Sequence, residues 1–363
     1  MRKLATIRRI NNIEPIPGAD RILKASVDGW HVVISKSDNF KVGDLIVYVE
    51  VDSVMPEKPE YEFLKSRKYR VRTIVLRGQV SQGLILPLSV LPEGNYEVGQ
   101  DVTDIIGVTK YDPELEAEQE ILKKNEKKTK NPIIKWLCRF KWFRKFYCKK
   151  KVSSSFPDWI KKTDEERIQN MTSLFDNLRD NKTLLSVTEK VDGSSATYFL
   201  RKIPGRKKME FGVCSRNRRI PSNDGSYWWQ VAEEYDIENV LRKLIGDSNS
   251  IVLQGEITGK GIQKNKYPIS NSYRFWAFNL ITPENKFSTE AMCPILGKYG
   301  IMTVPIVCSV YTLPDTIDDL IEYVKSDISQ IYPRKREGCV FRNLEQNVSF
   351  KCINPDFLLE NEE

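Results

Sequence analysis

The chain has 363 residues, 40% hydrophobic and 29% charged, which allows two or three domains with real cores and excludes a disordered polymer. The charged start, Met1 to Arg9, has no apolar run after it and reads as no secretory signal, and no segment has the length of a bilayer span. Seven scattered cysteines without a Cys-x-x-Cys pair point to reduced thiols inside the cell, in cytoplasm or nucleus, and one histidine, His31, argues against a Ser/His/Asp triad or a multi-histidine metal site.

The first hundred residues read as six short strands, Leu4 to Ile7, Ile22 to Val27, Trp30 to Ile34, Leu45 to Val51, Arg70 to Leu76 and Gly83 to Leu86. Turn signals such as Pro17-Gly18, Asp28-Gly29, Gly43-Asp44 and Arg77-Gly78 separate them, as in a small barrel or sandwich. The segments Glu14 to Ile22, Lys41 to Val49 and Leu76 to Leu84 resemble the OB-fold modules of tRNA-binding proteins. That resemblance implies an OB-type β-barrel over 1–108 that binds nucleic acid by its face.

Residues 109–152 read as a basic helical linker. Between Ile121 and Lys151 there are 13 Lys/Arg against one acid, Glu126, or +12, which leaves the remainder of the chain at −4 within the total of +8. Asn131-Pro132 reads as an N-cap and first helical residue, followed by Ile133, Trp136, Leu137, Phe140, Phe143 and Tyr147 on one face. The basic remainder suits a polyanion, with strongly salt-dependent affinity, although a solvated back on a docked helix or a membrane-surface helix has the same pattern.

From about 153 to 363 the pattern is mixed α+β. Lys190 follows the apolar run Leu184 to Val187 and precedes the turn Asp192-Gly193. A deprotonated lysine is a good nucleophile, and at a strand end beside a glycine turn it can face a phosphate. Lys-x-Asp-Gly is common by chance and needs support downstream. That support comes from Cys214-Ser215-Arg216, Leu253-Gln254-Gly255-Glu256, Phe275-Trp276-Ala277-Phe278-Asn279, Arg336-Glu337-Gly338 to Arg342, and Ser349-Phe350-Lys351, the last two forming a hairpin.

In order and spacing these islands resemble the covalent nucleotidyltransferases, the polynucleotide ligases and mRNA capping enzymes. The nearest likeness is to nick-sealing RNA ligases with an OB domain ahead of the catalytic domain, and Phe156-Pro157, Lys162-Thr163-Asp164-Glu165 and Arg167-Ile168-Gln169-Asn170 are typical of the RNA-ligase branch. The resemblance implies a ligase adenylation domain of antiparallel sheets flanked by helices. It implies that Lys190 attacks the α-phosphate of ATP to give lysyl-AMP, with Mg2+ or Mn2+ held by Asp192, Glu256 and Glu337. Lys351 would contact phosphate, Phe278 would stack on adenine, and Arg216, Arg342, Ser195 and Glu189 would complete the nucleotide site. A metal beside Lys190 would lower its pKa.

Two positions depart from the family pattern. Ser349 stands where the last motif commonly has a second lysine, and Asn279 where an acid is frequent. The substrate implied is RNA, or an RNA-containing duplex with 3′-hydroxyl and 5′-phosphate ends, joined by a monomer with no stable membrane association. A DNA ligase or capping enzyme would carry an OB domain after the last motif, where only Cys352 to Glu363 follow. An inactive RNA-binding protein on the same fold is the alternative of a different class.

Overall fold

A computed structural model describes residues 3–112, 154–205, 208–222, 225–262 and 272–359. The basic segment expected between 121 and 151 lies outside the described residues. Two compact units emerge, Met1–Lys150 with Leu358–Glu363, and Lys151–Phe357.

The first unit holds β1 (Ala5–Arg9), β2 (Asn12–Pro15), β3 (Ile22–Val27), β4 (Trp30–Ser35), β5 (Leu45–Val49), β6 (Ser53–Val54), β7 (Ile74–Leu76), β8 (Gln79–Ser81), β9 (Leu84–Pro87) and β10 (Thr109–Lys110). One sheet is ordered β1-β5-β9 and another β2-β3-β4. Strict alternation makes β4 one-sided, so Trp30, Val32 and Ile34 point into the core and the residues between them are half-buried. Trp30 stacks on Tyr48 of β5 with centroids 5.5 Å apart. Both residues of Asp28-Gly29 have positive φ, 49° and 77°, the two-residue turn whose twist suits a hairpin, and it joins β3 to β4.

Elsewhere the strand expectation is refined. The run Arg70 to Leu76 is strand only over Ile74–Leu76, where it turns at Arg77-Gly78 and pairs with β8. Before it lies a 3-10 helix, Pro59–Arg67, which ends where Lys68 and Tyr69 take positive φ and buries Tyr61 and Leu64.

The second unit contains β11 (Ser154–Ser155), β12 (Glu166–Arg167), β13 (Leu185–Lys190), β14 (Ser194–Arg201), β15 (Glu210–Cys214), β16 (Arg218–Ile220), β17 (Ser250–Gly259), β18 (Tyr273–Ile281), β19 (Met302–Thr303), β20 (Ile306–Tyr311), β21 (Gly338–Asn343) and β22 (Val348–Ile353). A seven-stranded sheet runs β11-β16-β15-β14-β17-β18-β19 and a five-stranded sheet β12-β22-β21-β13-β20. Both are antiparallel apart from a two-residue parallel ladder at one edge, β18 with β19 and β12 with β22.

Each sheet buries one face under helices and so leaves the other for the site. On the five-stranded sheet Leu185, Val187, Cys339, Phe341, Phe350 and Cys352 pack on the helices Thr172–Asp180 and Ile317–Lys325. By alternation Lys190, Arg342 and Lys351 stand on the opposite face. On the seven-stranded sheet Tyr198, Leu253, Ile257 and Phe275 pack with residues of Tyr227–Glu234, Ile237–Leu244 and Thr289–Gly297, and the opposite face carries Ser195 and Glu256. The chain passes from one sheet to the other at Val191-Asp192-Gly193. Among the described residues no helix is long and apolar enough to cross a membrane.

Candidate active site

Lys190 ends β13 directly opposite Gly338 in the ladder. Glu337, one residue before that glycine, accepts from the Lys190 ammonium with both carboxylate oxygens at 2.7 Å. The pair is recessed, with 27% of the lysine side chain and 14% of the glutamate open. A Cβ on Gly338 would stand 2.3 Å from the Cys352 carbonyl, so only glycine lets β21 and β22 pair this closely beneath the lysine.

Asp192 and Glu256 complete the cluster. Ladder pairing sets Glu256 opposite Ser195 on β14 and Trp276 on β18. Burial alone would lower the pKa of Lys190, but attraction from Glu337, Glu256 and Asp192 outweighs it and the net shift is upward. Glu256 is pushed up to about 8, first by burial and then by Glu337 and Asp192, against the opposing pull of Lys190 and Arg216. The three carboxylates therefore favour the protonated amine. The downward shift expected from a metal requires that metal to be bound.

The charge balance fits a divalent cation, since three carboxylates are crowded around one ammonium and Glu256 ionises with difficulty. The three do not close around one point, however. Among the described residues no group of three His, Cys, Asp or Glu is placed to hold an ion by itself. That donor set suits an ion that keeps its waters and takes one or two carboxylates together with phosphate oxygens, as Mg2+ does.

Two of the three cations predicted from sequence, Arg216 and Lys351, share one acid, and Arg342 has another. Arg216 donates to Asp164 Oδ1 at 2.7 Å, and Lys351 Nζ lies 3.6 Å from the same oxygen. Arg342, 7% exposed, donates over 3.4 Å both to Glu165 and to the Phe278 carbonyl, and its guanidinium carbon is 5.9 Å from the Phe278 ring centre. Phe278 is half-buried against Val191, Trp276 and Val304, so the sheet crossing and the aromatic share one apolar patch. The Ser195 hydroxyl lies 3.2 Å from that of Thr163.

Glu189 does not join this group. Strand alternation turns it to the helix-covered face, where the Ser329 hydroxyl donates to one carboxylate oxygen and the Gln330 N–H to the other at 2.9 Å. Its carboxylate anchors the 329–330 loop, on the face away from Lys190. Conversely, Asp164 and Glu165 contact three of the expected nucleotide residues. Sequence reading noticed them only as part of a branch-typical segment, because nothing in their spacing shows which cations they meet.

An OB-fold domain family matches residues 4–88 and the RNA ligase family matches residues 184–353, a stretch that includes Lys190 and Lys351. An OB-fold unit followed by this two-sheet unit with its recessed lysine defines a ligase. Among solved structures the chain is similar to Naegleria gruberi RNA ligase with PPi, at 31% identity over 100% of this chain and 99% of that one, TM-score 0.76. A glutamate-to-alanine variant of that ligase with ATP and Mn gives 31% identity, full coverage of both chains and TM-score 0.77. A lysine-to-methionine variant with AMP and Mn gives 30%, 99% of each chain and 0.77. No curated protein matches the chain. The chain belongs to the RNA ligase family.

Proposed function

We propose that the protein is an ATP-dependent RNA ligase that works through lysyl-AMP and seals nicks in duplexes. The observation that carries this reading is the recessed Lys190, held by Glu337 where the two sheets meet and with Asp192 and Glu256 acting on it. The Naegleria ligase structures with ATP, AMP, PPi and Mn support the nucleotide and metal assignment.

In the first step the Lys190 amine attacks the α-phosphorus. A P–N bond forms, the P–O bond to the leaving pyrophosphate breaks, and the lysine proton is lost. AMP then passes to the oxygen of a 5′-phosphate, and the amine is regained. A 3′-hydroxyl finally attacks that phosphate and AMP departs, leaving the phosphodiester. The protein's task is in-line placement and charge compensation, for which Arg216, Lys351 and Arg342 are the available cations. Asp192, Glu256 and Glu337, one or two of them directly and the rest through the ion's waters, would hold the divalent cation, which would supply positive charge to the phosphate oxygens and lower the pKa of the neighbouring amine. Drawing Glu337 away from Lys190 removes the main partner that keeps the amine protonated.

RNA with 3′-hydroxyl and 5′-phosphate ends is the substrate, and the enzyme is a monomer inside the cell with no stable membrane association. The reducing compartment rests on the sequence, whose seven cysteines include no Cys-x-x-Cys pair. The test is incubation with Mg2+ and ATP labelled at the α-phosphate, followed by a denaturing gel. Covalent label is expected. Its absence after pyrophosphate has stripped any resident AMP would overturn the reading. Sealing of nicked duplexes should exceed joining of free single strands, and equal rates would remove the nick preference.

The carboxylate cluster gives a second expectation. A carboxyl held near 8 in the fold and at its ordinary 4.5 when unfolded favours folding fully below 4.5, and that contribution is lost as pH rises through 8. A divalent cation prefers the ionised cluster. Millimolar Mg2+ or Mn2+ should therefore raise the Tm more at pH 8.5 than at pH 6, and Glu256→Gln should shrink that difference. An equal gain at both pH values would argue against binding at this cluster.

A further inference from the structure

Three consecutive side chains clasp the site from outside both sheets. Thr163 reaches Ser195 at the start of β14, Asp164 reaches Arg216 and Lys351, and Glu165 reaches Arg342. The next two residues, Glu166–Arg167, are themselves β12 and pair with Phe350 and Lys351 of β22. The strap is thus tied at both ends and fixed in register beside the lysine it contacts.

Asp164 has a particular place in it. Arg216 follows β15 of the seven-stranded sheet, whereas Lys351 belongs to β22 of the five-stranded sheet. A single oxygen, Oδ1, collects both, at 2.7 Å and 3.6 Å. Two cations brought together without a counter-charge repel each other, and one carboxylate between them relieves that repulsion and still leaves the trio net positive. A net cation pair drawn from two sheets onto one point is what a phosphate requires.

We infer that Asp164 is a positioning residue for the ligation chemistry, drawing Arg216 and Lys351 from the two sheets onto a single phosphate. The inference rests on the proposed assignment of those two residues as phosphate contacts. Asp164 acts through them and does not touch the reacting atoms. This role also offsets the missing second lysine at Ser349, because Arg216 becomes the second cation beside Lys351.

The test is the rate of lysyl-AMP formation, measured across ATP concentrations for wild type, Asp164→Asn, Asp164→Glu, Lys351→Ala and the double variant Asp164→Asn/Lys351→Ala. Asp164→Asn should slow labelling at saturating ATP by about 10- to 100-fold with a smaller change in KM. Asp164→Glu should recover part of the rate, and the double variant should lose less than the product of the two single losses, since Asp164 acts partly through Lys351 and partly through Arg216. Additive losses in the double variant would overturn the proposal. So would a preserved rate with tighter ATP binding, which would make Asp164 a competitor of the phosphate. A loss in Asp164→Asn that disappears at lower temperature, together with a lowered Tm, would reduce the residue to a structural support and also overturn it. The underlying functional reading fails separately, through an unlabelled wild type or an unimpaired Lys351→Ala.

Discussion

Lys190→Ala should abolish the covalent AMP label that the proposed mechanism places on the protein. In the proposed mechanism the amine is the atom that bonds to phosphorus, and no other lysine in the described site has its position beside Glu337, Asp192 and Glu256. Removing it takes away the reaction path itself, so labelling should fall by at least about a thousandfold. The fold should survive. Lys190 is the last residue of its strand and partly open, whereas the core of that sheet rests on Leu185, Val187, Phe341 and Phe350. A chemically pre-adenylylated RNA end should still be sealed in part, because the last step asks no nucleophile of the protein. Labelling on a denaturing gel together with sealing of the pre-adenylylated end measures both halves. Persisting label in the variant would place the nucleophile elsewhere.

Gly193→Ala should damage both stability and chemistry. A Cβ on Gly193 would lie 2.3 Å from the Ile257 carbonyl oxygen, 2.9 Å from Glu256 Cγ and 3.1 Å from the Ile257 carbonyl carbon. Two of those three atoms are backbone in the β14–β17 ladder, where Ser194 pairs with Ile257, so the clash cannot be relieved by a rotamer change. Either the ladder opens or the crossing from β13 to β14 shifts, and the latter moves Asp192 away from Glu256. Overpacking of this kind costs about 1–3 kcal/mol, and a displacement of the order of 1 Å can cost about a hundredfold in rate. Thermal unfolding and the labelling rate read the two effects. Gly297→Ala is the control: nothing lies within 4 Å of a Cβ there, it ends a helix, and it should leave both readings near wild type. A Gly193→Ala protein with unchanged Tm and rate would mean that the two sheets do not depend on a tight crossing.

Much of this architecture was legible from the chain because it depends on neighbours in sequence. Period-two alternation in Trp30, Val32 and Ile34 marks one-sided β4 before any partner is known. Asp28-Gly29 marks a hairpin because both residues tolerate positive φ. The run ending in Lys190, the strand carrying Glu256, the aromatic strand with Phe278 and the terminal hairpin all lie where pattern and turn chemistry place them. The shortening of 70–76 and the helix at 59–67 were not legible, since Tyr61 and Leu64 choose their conformation through burial in the barrel core and not through local periodicity.

The candidate site divides along the same line. By itself the sequence determined the inventory: one lysine before an Asp-Gly turn, acids after apolar strands, and cations at strand ends, in an order shared with the RNA ligases. Only the tertiary structure decided who meets whom. Glu189 is adjacent to Lys190 in the chain and is turned to the opposite face, because neighbours in a strand project to opposite sides. Glu337, 147 residues away, holds the lysine with both oxygens, and Asp164 joins cations from two sheets. Those partnerships come from ladder register and from two sheets each burying one face under helices. Both are long-range properties, and no spacing within a single strand encodes them.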